Sequence, residues 1–345
     1  MSIWGGYPGK KNLPKWADFG YEALNHEYAI AEKIFSKEKW DILHIYFSLL
    51  DIIQHRLWRF FDENDPTYSF DNQLSQIILN YYKLFDTFIK DFIEKFPDTS
   101  LMVVSDHGHS VRPMKTINVN EFLRQGGYLI TKRKNSLFAN KIKHIILEII
   151  TKFDLEYSVI KIVSSNGLIT KKSKMMYSSK GMIDQQTIAS LSSFVGIKSY
   201  SFGGIEINRN SISDSEYIKI RQTIIDTLSN LKSSDGKQLF NWVVKREDLY
   251  NHNPGKYHTQ IFPDIVFELQ RDYCVGWNLH SNLFEKSYDH KVASGGHSKD
   301  GVILLSNLNR EVKTNVVSLV DITPSILDIL DVDRKGYNFD GKTIF

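Results

Sequence analysis

Residues 101–108 read LMVVSDHG, and this stretch sets the fold. A short continuous apolar run bounded by turn residues is the pattern of a buried strand. Pro97 and Asp98 break the chain just before it. Before them, residues 70–96 carry Leu74, Ile77, Ile78, Tyr81, Leu84, Phe85, Phe88, Ile89 and Phe92 at helical spacing, which predicts one long amphipathic helix. The same alternation recurs along the chain. Residues 21–35 read as helix, 42–49 as a buried strand, 265–269 and 302–306 as further strands, and 321–330 as a helix capped by Asp321. Helices alternating with buried strands predict an α/β fold whose mostly parallel central sheet is flanked by helices and assembled from both ends of the chain.

The chain has 345 residues, 42% hydrophobic and 24% charged, enough for one large domain with an insertion. Residues 131–199 are rich in Lys, Ser and Ile, with Ile142, Ile145, Ile146, Ile149 and Ile150 in a helical pattern. They are read as a helical cap inserted into a catalytic α/β domain formed by 1–130 and 200–345. A net charge of +3 gives no pull toward nucleic acid, and the basic runs Lys132, Arg133, Lys134 and Lys171, Lys172, Lys174 are read as solvated faces. Cys274 is the only cysteine, which excludes an internal disulfide and a four-cysteine zinc site and suits the cytoplasm. No apolar run approaches the roughly 20 residues of a membrane helix, and residues 1–11 lack a signal-peptide core, unless a leader lies upstream.

Three constellations carry candidate chemistry. Asp51 and His55 follow the strand expected at 42–49 and stand four apart, on one face of an ensuing helix, so both could point at one cation. They could equally be a helix N-cap and a hydrogen-bonded histidine. Asp106 and His107 end the strand 101–105, and Gly108 permits the sharp exit that lets two neighbours face one ion; an exposed polar turn is the competing reading. His109 extends this group as an outer or substrate-facing residue, or as a plain loop histidine. Gly295, Gly296 and His297 form the third group, where paired glycines allow close backbone approach and His297 offers a neutral nitrogen. Carboxylate plus imidazole suits Zn²⁺, Mn²⁺ or Fe rather than Ca²⁺.

Taken in order, the segments DIIQHRLW (51–58), VVSDHG (103–108), YSFGGIEIN (200–208), GGHSKDGVILL (295–305) and VDITPSILDIL (320–330) resemble the alkaline phosphatase superfamily, in its type I phosphodiesterase and nucleotide pyrophosphatase branch. The resemblance implies two divalent ions, zinc first among them. It makes Asp51, His55 and His297 ligands of one and Asp106 and His107 ligands of the second. It also implies hydrolysis of a phosphodiester or phosphomonoester in a phosphorylated small molecule or nucleotide. A phosphomutase or sulfatase of the same superfamily, or a noncatalytic binder, are the alternatives.

The sequence departs from the family pattern at one place. Members carry an Asp after the first strand and then a Thr or Ser nucleophile. Here the hydroxyls before Asp51, tyrosines aside, are Ser2, Ser36 and Ser48, and the first threonine is Thr67. None stands in a nucleophile-like context. The expectation is an incomplete second metal site and an absent amino-terminal part of the fold, supplied by a separately encoded segment or lost in a degenerate relative. In either case the chain by itself would be inactive.

Overall fold

The structure is a computed structural model that describes residues 8–132, 137–153, 155, 157–159, 162, 183–192, 200–233, 235–249, 262–288, 290–308 and 310–345. In chain order its elements begin with α1 (Leu13–Lys37), α2 (Leu49–Phe61), α3 (Ile77–Lys95), β1 (Leu101–Val104), β2 (Gly108–Val111), β3 (Lys115–Asn118), α4 (Val119–Gln125) and α5 (Leu137–Lys152). They continue with β4 (Ala189–Leu191), β5 (Phe202–Ile207), α6 (Asp214–Ser229), β6 (Phe240–Lys245), α7 (Arg246–Leu249), β7 (Ile265–Leu269), β8 (Tyr273–Gly276), β9 (Phe284–Lys286), β10 (Gly295–Ser298), β11 (Ile303–Ser306) and α8 (Ile322–Ile329). Two compact units result: Met1–Val111 with Gly295–Phe345, and Arg112–Ser294.

The first unit is built on three helices. Leu49, Ile53, Leu57 and Phe60 recur along one face of α2 and are buried against Leu13, Trp16 and Leu24 of α1 and Ile78, Tyr81, Leu84 and Phe88 of α3. Each such side chain contributes on the order of 1.5–3 kcal/mol by leaving water. The Tyr81 hydroxyl donates to the Ala17 carbonyl at 2.6 Å, and Tyr28 stacks on Phe88 with centroids 4.3 Å apart. With this face buried, the face of α2 that bears Asp51 and His55 is left for the site.

Two antiparallel pairs and α8 complete the unit. β1 lies against β11, Leu101 opposite Ser306 and Val104 opposite Ile303. The Ser105 amide donates to Val302 O and the Val302 amide to Ser105 Oγ, which closes the ladder where the chain turns out at Asp106. β2 then pairs with β10, setting His109 directly opposite His297.

The second unit holds the sheets β8-β3-β9 and β4-β5-β7-β6. Its core includes Ile205, Ile224, Leu228, Val243 and Phe267. Buried Glu121 on α4 accepts from the His280 amide at 2.7 Å and from the Arg124 guanidinium. Within 131–199 the described residues include α5, where Ile145, Ile146 and Ile149 stand exposed, and β4. The Ile142 side chain, Arg133, Lys134 and the run Lys171, Lys172, Lys174 lie outside the described residues.

Helices and strands do alternate, so the chain is α/β, but the mostly parallel sheet is corrected. Among the described strands only β3 and β8 pair in parallel; every other ladder is antiparallel. The strand expected at 42–49 is absent as well. Residues 42–48 have no regular structure, Ile42, Ile45 and Tyr46 are exposed, and α2 starts at Leu49. An apolar run makes a strand only where a partner takes its backbone groups. The long helix begins at Ile77, after a turn in which the Asp71 side chain accepts from the Gln73 and Leu74 amides. Asp321 holds the N-cap position of α8 as expected, but its carboxylate accepts from the Ser318 and Lys342 amides rather than from the helix. Among the described residues no helix is long and apolar enough to cross a membrane.

Candidate metal centre

Asp51, the third residue of α2, and His55, one turn on, face the β2–β10 pair. Asp51 is not the helix cap, since that position is Ser48. Around Asp51 Oδ1 lie four imidazole nitrogens: His55 Nε2 at 3.3 Å, His297 Nε2 at 3.4 Å, His109 Nδ1 at 3.7 Å and His107 Nε2 at 4.0 Å. No hydrogen bond reaches this oxygen, which is buried. His55 Nε2 and His297 Nε2 are 3.0 Å apart. A buried carboxylate oxygen with no donor is costly unless something else occupies the centre.

The spacing fits a cation. Ligands about 2.0–2.2 Å from a tetrahedral zinc stand about 3.3–3.6 Å from one another, by the geometry of the tetrahedron. The triangle Asp51 Oδ1, His55 Nε2, His297 Nε2 has edges of 3.3, 3.4 and 3.0 Å. His55 Nδ1 lies 2.7 Å from Gly295 O, so it carries the proton and donates, leaving the Nε2 lone pair aimed into the triangle. His107 Nδ1 lies 3.1 Å from Gly108 O and is fixed in the same tautomer. Asp51, His55 and His297 form one set of closely spaced ligand atoms, and Asp51, His107 and His109 a second.

Electrostatics favour an ionised Asp51 beside a neutral His109. Burial alone would raise the Asp51 carboxyl, but the imidazoles of His297, His55 and His109 outweigh it and hold Asp51 well below the usual carboxylate range. Burial, reinforced by neighbouring His55, pushes His109 down to about 3, so it is neutral at physiological pH.

Gly295 lets the two halves of the site meet. A Cβ there would collide with the Gln54 carbonyl oxygen of α2 and press on His109 Nε2, so only glycine brings β10 close enough for its carbonyl to hold His55. Gly108 is needed for a similar reason, as a Cβ would run into the Asp300 carbonyl oxygen. Its role is close approach as much as a sharp exit from the strand.

Of the five residues singled out in the sequence as ligands, Asp51, His55, His107 and His297 converge. Asp106 stands at the edge, its side chain 63% exposed and its Oδ2 3.5 Å from His107 Nε2. His109, given only an outer place in the sequence, lies inside the cluster with its side chain 3% exposed. Period-two alternation was the available signal, because residues 107 and 109 share a face of any extended segment. The indole of Trp58 covers the His109 ring, with centroids 5.4 Å apart. Among the hydroxyls, Ser36 donates to the Glu32 carbonyl, Thr67 donates to Asp65 Oδ1, Ser48 precedes α2, and Ser2 lies outside the described residues.

No curated protein matches the chain in sequence. Two solved structures of the phosphonoacetate hydrolase from Sinorhizobium meliloti 1021, with phosphonoformate and with phosphonoacetate, align at 12% identity and a TM-score of 0.35. Each alignment covers 74% of this chain and 43% of the hydrolase. The sequence model of the family described as type I phosphodiesterase / nucleotide pyrophosphatase matches residues 9–297, most of the chain. The chain therefore belongs to the type I phosphodiesterase/nucleotide pyrophosphatase family, within the alkaline phosphatase superfamily.

Proposed function

We propose that the protein is a metal-dependent phosphoester hydrolase acting on a phosphorylated small molecule or nucleotide, with Asp51, His55 and His297 holding one divalent ion and His107 belonging to a second. Family membership supports the reaction class, and the observation that carries the metal is the buried, unsatisfied Asp51 Oδ1 ringed by imidazole nitrogens. Zinc suits the carboxylate and imidazole donors, and manganese and iron accept the same set. Such ions supply Lewis acidity toward phosphoryl oxygens and a lowered pKa for bound water.

The protein's own residues prepare that chemistry. Asp51 supplies negative charge among the imidazoles, and the Gly295 and Gly108 carbonyls orient His55 and His107 through Nδ1. Asp106, the second-ion ligand that the resemblance implies, would reach that ion by turning its exposed side chain inward. Residues 131–199, within the unit Arg112–Ser294, are the part we assign to a cap that selects substrate. The buried lone thiol of Cys274 fits a cytoplasmic protein.

A second reading is a noncatalytic binder of metal or phosphorylated ligand. It is favoured by the way Ser36 and Thr67 spend their hydroxyls on local acceptors. Chelator-treated protein assayed on aryl phosphate mono- and diesters, with and without added Zn²⁺ or Mn²⁺, separates the two. Turnover that requires the ion supports the hydrolase, whereas ion uptake without turnover supports the binder. Failure to take up an ion would defeat the hydrolase and the metal-binding reading alike.

A further inference from the structure

His109 is the most enclosed imidazole of the cluster. Strand β2 aims it inward opposite His297, Trp58 covers one side, and its Nε2 packs against the Gly295 backbone with no hydrogen-bond partner. Burying an imidazole with one nitrogen unsatisfied is unfavourable unless the other nitrogen gains a strong bond. The other nitrogen, Nδ1, faces Asp51 Oδ1 at 3.7 Å, beyond hydrogen-bond reach, while His107 Nε2 stands 4.0 Å from the same oxygen. All three ligand atoms lie within 4.8 Å of one another.

We infer that Asp51, His107 and His109 form the second cation site, with the Asp51 carboxylate shared between both ions and His109 as the third ligand. This rests on the reading that Asp51, His55 and His297 hold the first ion. The two Asp51 edges, 3.7 and 4.0 Å, are slightly wider than a tetrahedral zinc edge, so the side chains draw in on binding. A shared carboxylate suits paired ions about 3.5–4 Å apart. The donor set, one carboxylate and two imidazoles, selects a borderline divalent ion such as Zn²⁺ or Co²⁺ over Mg²⁺ or Ca²⁺. His109 binds through Nδ1, its proton resting on Nε2. Asp106, 3.5 Å from His107 Nε2 and largely exposed, can add to this set by turning inward.

The test is the zinc content of the whole chain after equilibrium dialysis at fixed free Zn²⁺, with the absorption spectrum of Co²⁺-loaded protein as a readout of donors. Parent protein should hold two ions. His109→Phe, which keeps a ring against Trp58, should hold the first ion and lose affinity for the second by at least about 10–100-fold, with loss of the matching Co²⁺ band. His109→Gln serves as a second variant, and metal-free thermal unfolding establishes that each variant folds. Two ions at parental affinity in His109→Phe and His109→Gln would overturn the inference, as would a single ion in the parent. Unchanged ion content in His55→Ala and His297→Ala would instead overturn the first-ion reading, and the His109 variants would still judge the second site.

Discussion

His55 Nε2 and His297 Nε2 lie 3.0 Å apart although 242 residues separate them in the chain. With the His55 proton held on Nδ1 by Gly295 O, the pair needs a proton or a cation between its facing nitrogens. We assign a cation to that place. His55→Ala and His297→Ala should each weaken Zn²⁺ binding by at least about 10–100-fold, since loss even of outer partners to a ligand costs that much. Metal-free stability should change little, because removing one imidazole also relieves crowding. Calorimetric zinc titration beside thermal unfolding without metal checks both; parental affinity in either variant would make these histidines structural.

Gly295→Ala probes how the site is assembled. Its methyl would meet the Gln54 carbonyl and His109 Nε2, so β10 must move away from α2 or distort. Overpacking of this kind costs about 1–3 kcal/mol. Urea unfolding should report that loss, and zinc affinity should fall with it, as the carbonyl that orients His55 moves. Gly127→Ala, at a left-handed position with open space around the missing Cβ, is the contrasting change: it should cost stability through backbone strain and leave zinc affinity intact.

Much of the site could be read from sequence, and much of the sheet could not. The spacing of Asp51 and His55 puts them on one helical face, and α2 delivers that face because Leu49, Ile53 and Leu57 bury the other. Helical periodicity likewise located the cores of α1 and α3. The strand at 42–49 failed because an apolar run specifies a preference for burial, whereas a strand also needs a partner, and partners are non-local. Ladder direction was hidden for the same reason. Nothing in LMVV states that residues 303–306 will lie against it antiparallel. His109 was undervalued because its weight depends on strand β2, whose pairing with β10 is set by residues near the other end of the chain.

Glu121 yields a prediction about stability in the second unit. Burial raises its pKa, but hydrogen bonds from Arg124, Gln125 and the His280 amide outweigh this and leave it below its ordinary value. A depressed carboxyl contributes stability above its unfolded pKa of about 4.3, and the contribution disappears as pH falls through the lower folded value. Glu121→Gln keeps the shape and removes the charge, so it should cost on the order of 1–3 kcal/mol at neutral pH. The gap between variant and parent should narrow below about pH 4. Urea unfolding across pH 3–7 measures this, and a gap that stays constant would show that charge at Glu121 is irrelevant.

The central claim is that Asp51, His55 and His297 share one divalent ion. Anomalous diffraction at the zinc edge from crystals grown with Zn²⁺ tests it without reliance on activity. The account predicts a peak about 2.0–2.2 Å from Asp51 Oδ1, His55 Nε2 and His297 Nε2. An electron-density map at full zinc saturation with no anomalous peak among these three atoms, or with the ion held elsewhere, would contradict it.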